Sequence, residues 1–100
     1  MTNESPTVNQ KADILQSLGR LEILRRSGNN WYCAVPRISI SDGEFLVGPF
    51  GDGNTPIEAL EALSDQLTIL PPNKYVVRSN HDGTRDTFRW NGWMWDTLKP

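Results

Sequence analysis

From Lys11 onward the apolar residues Ile14, Leu15 and Leu18, with Leu21 beyond them, recur at helical spacing, and Asp13 lies where a helix dipole favours an acid. The spacing predicts a short helix over 11–19, stopped by Gly19. Residues 20–26 admit two readings: the same helix continued to Arg26, or a strand in which Leu21 and Ile23 flank Glu22. Helix followed by strand is preferred, because the polar turn Ser27-Gly28-Asn29-Asn30 comes next. Residues 31–40 are rich in aromatic and β-branched side chains, and Asp42-Gly43 separates them from 44–47, a hairpin pattern. Pro36 cannot donate to a ladder, so it places its strand at an edge or on a bulge.

Residues 48–54 read as a loop. Thr55-Pro56-Ile57-Glu58 follows as a capping box, with Thr55 as cap, Pro56 at the first helical position and Glu58 reaching back. The cap alone is worth ~1 kcal/mol. Ile57, Leu60, Leu63 and Leu67, with Ala59 and Ala62, form a one-sided stripe ending before Pro71-Pro72, which predicts a helix over 56–68 packed on a sheet. Residues 75–78 read as a strand, 79–84 as a polar loop, and Asp86 opens another strand. Asn91-Gly92 is a two-residue hairpin turn by composition. That turn sets Trp90 opposite Trp93 and Phe88 opposite Trp95, all on one face, with Thr87, Arg89, Met94 and Asp96 on the other. The expectation is one α+β domain over 11–100, two helices on an antiparallel sheet of four to six strands. Residues 1–10, with little apolar surface, are expected to be a flexible tail.

Composition narrows the function classes. A chain of 100 residues, 37% hydrophobic, can bury a core without staples and leaves no room for a second domain. Cys33 is the sole cysteine, which excludes an internal disulfide and a Cys-x-x-Cys ligand set and suits a reducing, cytoplasmic setting. No apolar run approaches ~18 residues and no signal-like segment opens the chain, so no membrane partner is expected. Residues 38–70 hold Asp42, Glu44, Asp52, Glu58, Glu61 and Asp65 with no lysine or arginine, an acidic block in a chain of net charge −2.

The chemistry-bearing residues are sparse. His81 is the only histidine, in a loop beside Asp82 and Gly83, and reads as a turn residue before it reads as a catalyst. Cys33, between Tyr32 and Ala34, reads as a small buried hydrophobe. Gly48, Gly51 and Gly53 lie between strand and helix, where a phosphate loop would lie, but no lysine follows and Asp52 and Glu58 would repel the anion, so tight turns are expected. Asp52 lacks the further acids of a calcium loop. No cofactor, metal or enzymatic activity is expected.

The run from Tyr32 to Leu63 resembles the core of the HicB-type antitoxins, a strand, hairpin, strand and helix unit with a double-stranded-RNA-binding-like fold. The resemblance rests on Tyr32, the Asp42-Gly43 turn, the strand over 44–47, Gly53, Thr55, Glu58 and Ala59, and covers about a third of the chain. It implies a toxin-neutralising role. The sequence departs from the family in loop 48–54 and shows no helix-turn-helix or ribbon segment, so operator binding is not implied. The short chain with an aromatic C-terminal hairpin is also similar to small bacteriophage accessory proteins, among them inhibitors of host defence.

The leading expectation is therefore a non-enzymatic module that binds another protein. Asp52, Glu58, Glu61 and Asp65 would present an acidic face to a basic partner, such as a nucleic-acid-binding protein, and Trp90 and Trp93 would remain accessible on the hairpin. The alternative is single-strand nucleic-acid binding, with Arg78, Arg85 and Arg89 for phosphates and Trp90 and Trp93 for stacking, although a pI near 5.2 opposes it. A hydrolase or transferase built on His81 is the third class. Pairing with a second copy, through a free edge near Pro36 or through the C-terminal hairpin, stays open.

Overall fold

A computed structural model describes residues 7–98, and the part of the expected tail over 1–6 lies outside them. The first element is α1 (Val8–Gln16), followed by strands β1 (Glu22–Ser27), β2 (Asn30–Ala34), β3 (Ile38–Ser41), β4 (Leu46–Val47) and β5 (Gly51–Gly53). Helix α2 (Pro56–Thr68) comes next, then β6 (Tyr75–Ser79), β7 (Arg85–Trp90) and β8 (Trp95–Thr97). The class is α+β, as the patterning predicts, but the strands divide between two antiparallel sheets, β1-β2-β5 and β4-β3-β6-β7-β8.

Helix α1 begins at Val8 rather than Lys11, so residues 7–10 of the expected tail belong to its start. The reason is a capping box: Thr7 Oγ1 accepts from the Gln10 N–H while Gln10 Oε1 accepts from the Thr7 N–H. The helix ends at Gln16 with Ser17 as its cap, short of Gly19. Residues 22–27 are strand, the preferred reading of that segment.

The run over 31–40 is two strands in different sheets. Pro36 and Arg37 carry the chain between them, and Arg37 adopts φ 71°, a left-handed conformation uncommon outside glycine. Pro36 therefore lies in a crossing and not on a sheet edge. The Asp42-Gly43 hairpin forms, but its loop spans 42–45, because the Asp42 carboxylate accepts the N–H groups of both Glu44 and Phe45 and leaves only Leu46 and Val47 to pair.

Helix α2 occupies 56–68 as its cap and periodicity dictate, with Thr55 Oγ1 accepting from the Glu58 N–H, but the box is not closed on the cap: the Glu58 carboxylate accepts the N–H of Asn54, one residue earlier. Its buried face is Ala59, Leu60, Leu63, Ser64 and Leu67, whereas Ile57, the first member of the expected stripe, stands 51% exposed. Part of the expected loop over 48–54 is β5, and its glycines serve contact rather than turning: none of Gly48, Gly51 and Gly53 has positive φ. A Cβ on Gly51 would lie 2.1 Å from the Ala59 carbonyl oxygen, and one on Gly53 would lie 2.5 Å from the Glu58 Cβ. Hydrogen in place of a side chain lets α2 rest directly on the strand's backbone. Leu15 and Leu18 from the α1 end, Leu60, Leu63 and Leu67 from α2, Cys33 and Val35 from the β2 side, and Ile38, Val76 and Phe88 from the larger sheet join in one core.

Candidate functional site

The C-terminal hairpin sets the site. Trp90 pairs with Trp95, Arg89 with Asp96 and Phe88 with Thr97, so the register is two residues away from that of a two-residue turn. Asn91 is the cause: its Oδ1 accepts the N–H groups of Trp93 (2.7 Å) and Met94 (2.8 Å), and its own N–H donates to the Met94 carbonyl. The loop is thus Asn91-Gly92-Trp93-Met94, an Asx-type turn with Gly92 at φ 95°. Trp90 and Trp95 meet edge to face with ring centroids 5.2 Å apart. Phe88 is core, Trp90 and Trp95 are half-buried, and Trp93 is left out at the tip, 86% exposed beside an exposed Met94. The sequence places four aromatic side chains on one face; the register keeps three of them there.

Between this hairpin and the two helices runs a groove of about 420 Å³. Ile14 of α1, Asp65 and Thr68 of α2, Ile69 beyond it, and Trp90 and Gly92 of the hairpin line it, and Lys11 reaches in from α1. Lys11 Nζ lies 3.3 Å from Glu61 Oε2 and 3.5 Å from Asp65 Oδ1, so one ammonium serves two carboxylates. Ile69 caps α2 and is 75% exposed, with nothing apolar laid over it.

The expected acidic face is divided. Asp65 lines the groove and Glu61 joins it only through Lys11, while the Glu58 carboxylate is occupied at the helix start by the Asn54 N–H and the Thr55 hydroxyl. Asp52 lies on the opposite side of the smaller sheet: Gly51 and Gly53 face α2, and alternation turns Asp52 away from it, next to Tyr32 in register. That outer side carries a second aromatic group, Tyr32 stacked on Phe50 at 5.4 Å with the Arg26 guanidinium 4.7 Å above the Tyr32 ring.

The expected arginine surface does not assemble either. Arg78 pairs with Asp86 in register and Phe88 lies two residues on, so Arg78, Asp86, Phe88 and Trp90 share the core-facing side. Arg85 and Arg89 alternate to the other side, where Arg89 donates to the Pro72 carbonyl at 2.9 Å. Arg78 is held in the structure: Nη2 lies 2.8 Å from Asp86, Nη1 donates to the Leu18 carbonyl, and the guanidinium rests 5.0 Å from the Phe88 ring centroid. The Arg78 and Asn80 donors hold the Asp86 carboxyl below its usual range.

Cys33 is fully enclosed, and burial pushes its thiol up to about 11, the opposite of what a nucleophile needs. His81 is exposed on the β6–β7 turn. Among the described residues, no three His, Cys, Asp or Glu side chains gather as a metal site, and no helix is long and apolar enough to cross a membrane.

Comparison with protein-family models, with curated proteins and with solved structures found no match to this chain.

Proposed function

We propose that the protein is a non-enzymatic interaction module that docks another protein in the groove between α1, α2 and the β7–β8 hairpin. One observation carries this reading: the chain leaves Ile69 and the Trp93-Met94 tip largely in solvent beside a groove where Ile14, Ile69 and Trp90 alternate with Ser64 and Thr68 and where Lys11 holds two carboxylates. Large exposed apolar groups rimmed by charge mark binding surfaces, and tryptophan is the side chain most enriched among binding hot spots. The fitting partner offers an apolar anchor for Trp93 and Ile69 and a basic side chain that competes with Lys11 for Glu61 and Asp65. A basic nucleic-acid-binding protein has that chemistry, and the antitoxin and phage-inhibitor likenesses of the sequence belong to the same class. Single-strand binding is less favoured, because Arg78 and Arg89 are already engaged and only Arg85 of the three is uncommitted among the described contacts.

The test places a photo-crosslinking amino acid at position 93, at position 69 and, as a control on the far sheet, at position 24, in cells of the native host. Nuclease treatment precedes analysis. The reading expects one protein captured from 93 and 69 but not from 24, competed away by unlabelled protein and lost when Asp65→Lys is added. Capture of nucleic acid, or the same products from all three positions, overturns it; a second copy of this chain as the product makes the groove a homodimer interface instead.

A further inference from the structure

A second concavity, of about 630 Å³, lies where three connections converge: α1 to β1, β2 to β3 and β6 to β7. Its walls bring together Arg20, Arg37, Arg78 and His81, with the Pro36 ring as an apolar surface and the Leu18 side chain turned into the core. These residues stand far apart in the chain, and two hydrogen bonds stitch the walls: the Ser79 N–H donates to the Arg37 carbonyl at 2.9 Å, and Arg78 Nη1 donates to the Leu18 carbonyl at 3.2 Å. The carboxylates that meet these cations are Asp86 on Arg78 and Glu22 on Arg20. Asp82, in the next turn, is engaged with the Thr84 hydroxyl and N–H. Three guanidiniums against two carboxylates leave the cleft positive within a chain of net charge −2.

Arg37 is the unmatched cation. Among the described residues its guanidinium makes no ion pair or hydrogen bond, yet its backbone is fixed at φ 71°. Glycine would take that conformation without strain, and non-glycine residues held there cluster at ligand clamps. Arg78, for its part, is held rigidly against Asp86, Leu18 and the Phe88 ring, and a guanidinium has more N–H donors than those contacts use. A pre-positioned guanidinium in the same cleft as an uncommitted arginine suits a tetrahedral oxyanion, because the planar fork matches phosphate oxygens.

We propose that this cleft binds a small organic phosphate monoester, its phosphoryl group between Arg37 and Arg78 and its organic part against the Pro36 ring. The volume lies within the range of small-molecule sites, roughly 300–1,000 Å³, and is far larger than a bare phosphate fills. This site shares no lining residue with the docking groove and stands or falls separately from it.

The experiment titrates the ¹⁵N-labelled protein at low salt with ribose 5-phosphate and, separately, with inorganic phosphate, following backbone amides and arginine Nε–H signals by NMR. Saturable shifts centred on 18–20, 37 and 78–81, with the ester binding more tightly than inorganic phosphate, are expected. Arg37→Gly relieves the backbone strain, so the variant stays folded, and it should weaken the ester roughly tenfold or more, the effect of losing one charged hydrogen-bond partner. Arg89→Ala should bind as wild type does. No saturable shift, equal affinity for ester and inorganic phosphate, unchanged affinity in Arg37→Gly, or response to an oligonucleotide without response to the monoester would each overturn the proposal.

Discussion

The indole N–H of Trp95 donates to the main-chain carbonyl of Ile14 across 3.0 Å, joining the last strand to the first helix. Ile14 also accepts from the Ser17 hydroxyl at 2.6 Å, so one carbonyl near the end of α1 receives two donors from different parts of the chain. Trp95 further packs against Trp90 and the core. Replacing it by phenylalanine removes the donor and part of the ring volume. Trp95→Phe should cost about 2 kcal/mol, roughly half from the hydrogen bond and half from the vacated space. Urea unfolding followed by far-ultraviolet circular dichroism gives this number. Ser17→Ala, which leaves the Trp95 bond in place, should cost less.

Gly51 offers a sharper contrast. Any Cβ there meets the backbone of Ala59 and Leu63, atoms that cannot swing aside, whereas a Cβ at Gly48 meets nothing within 4 Å. Gly51→Ala forces α2 off β5 and should destabilise by about 3 kcal/mol, at the upper end of overpacking costs. Gly48→Ala should stay within about 0.5 kcal/mol of wild type. Paired thermal melts decide it; equal melting temperatures would mean that the helix and strand have slack between them.

These two sites show what the sequence makes legible. Helix α2 can be read to the residue, because Thr55, Pro56 and Glu58 act within one turn and the buried face repeats every three to four positions. The start of α1 was equally available: Thr7 and Gln10 carry the same capping signature, hidden by the polar residues around it. The role of Gly51 was not, because a close approach depends on a helix that crosses the strand only in the folded chain. The hairpin erred for a local reason. Asn91-Gly92 fits both a two-residue turn and an Asx turn, and only the Asn91 side chain, accepting from Trp93 and Met94, selects the second. The exposed tip depends on that register: with Trp93 paired opposite Trp90, no tryptophan would stand there. For the arginines, alternation on β7 already separates Arg89 from Phe88 and Trp90 in the sequence; the pairing that sides Arg78, one strand over, with Phe88 is settled only by the folded register.

Cys33 yields a reporter of opening. Its thiol is enclosed and held at about 11, so the thiolate is scarce near neutrality and the sulfur is out of reach of reagents. A disulfide reagent at pH 8 should leave the native protein unlabelled over hours and label it at once in denaturant. Slow native labelling, where it occurs, should track the unfolding equilibrium across urea concentrations. Fast labelling in buffer would mean that β2 opens independently of the core.

Acid should destabilise the protein through two of its turns and the Arg78–Asp86 ion pair. The Asp86 carboxyl is lowered by Arg78 first and Asn80 second, Asp82 by the Thr84 hydroxyl and N–H, and Asp42 by the N–H groups of Phe45 and Glu44. All three move in the same direction, below the unfolded value near pH 4, so the native state favours the ionised form. Their contribution is fully present above about pH 4 and is lost as pH falls through the lower native values. The urea midpoint should therefore be flat from pH 7 to 5 with respect to these groups and drop steeply below about pH 4. Asp86→Asn keeps the size of the side chain but removes the charge that Arg78 faces. The variant should be less stable than wild type at pH 7, and the gap should narrow as pH falls, because wild type then loses the same charge by protonation. A gap that stays constant down to pH 2 would mean that the Asp86 charge contributes nothing to the fold.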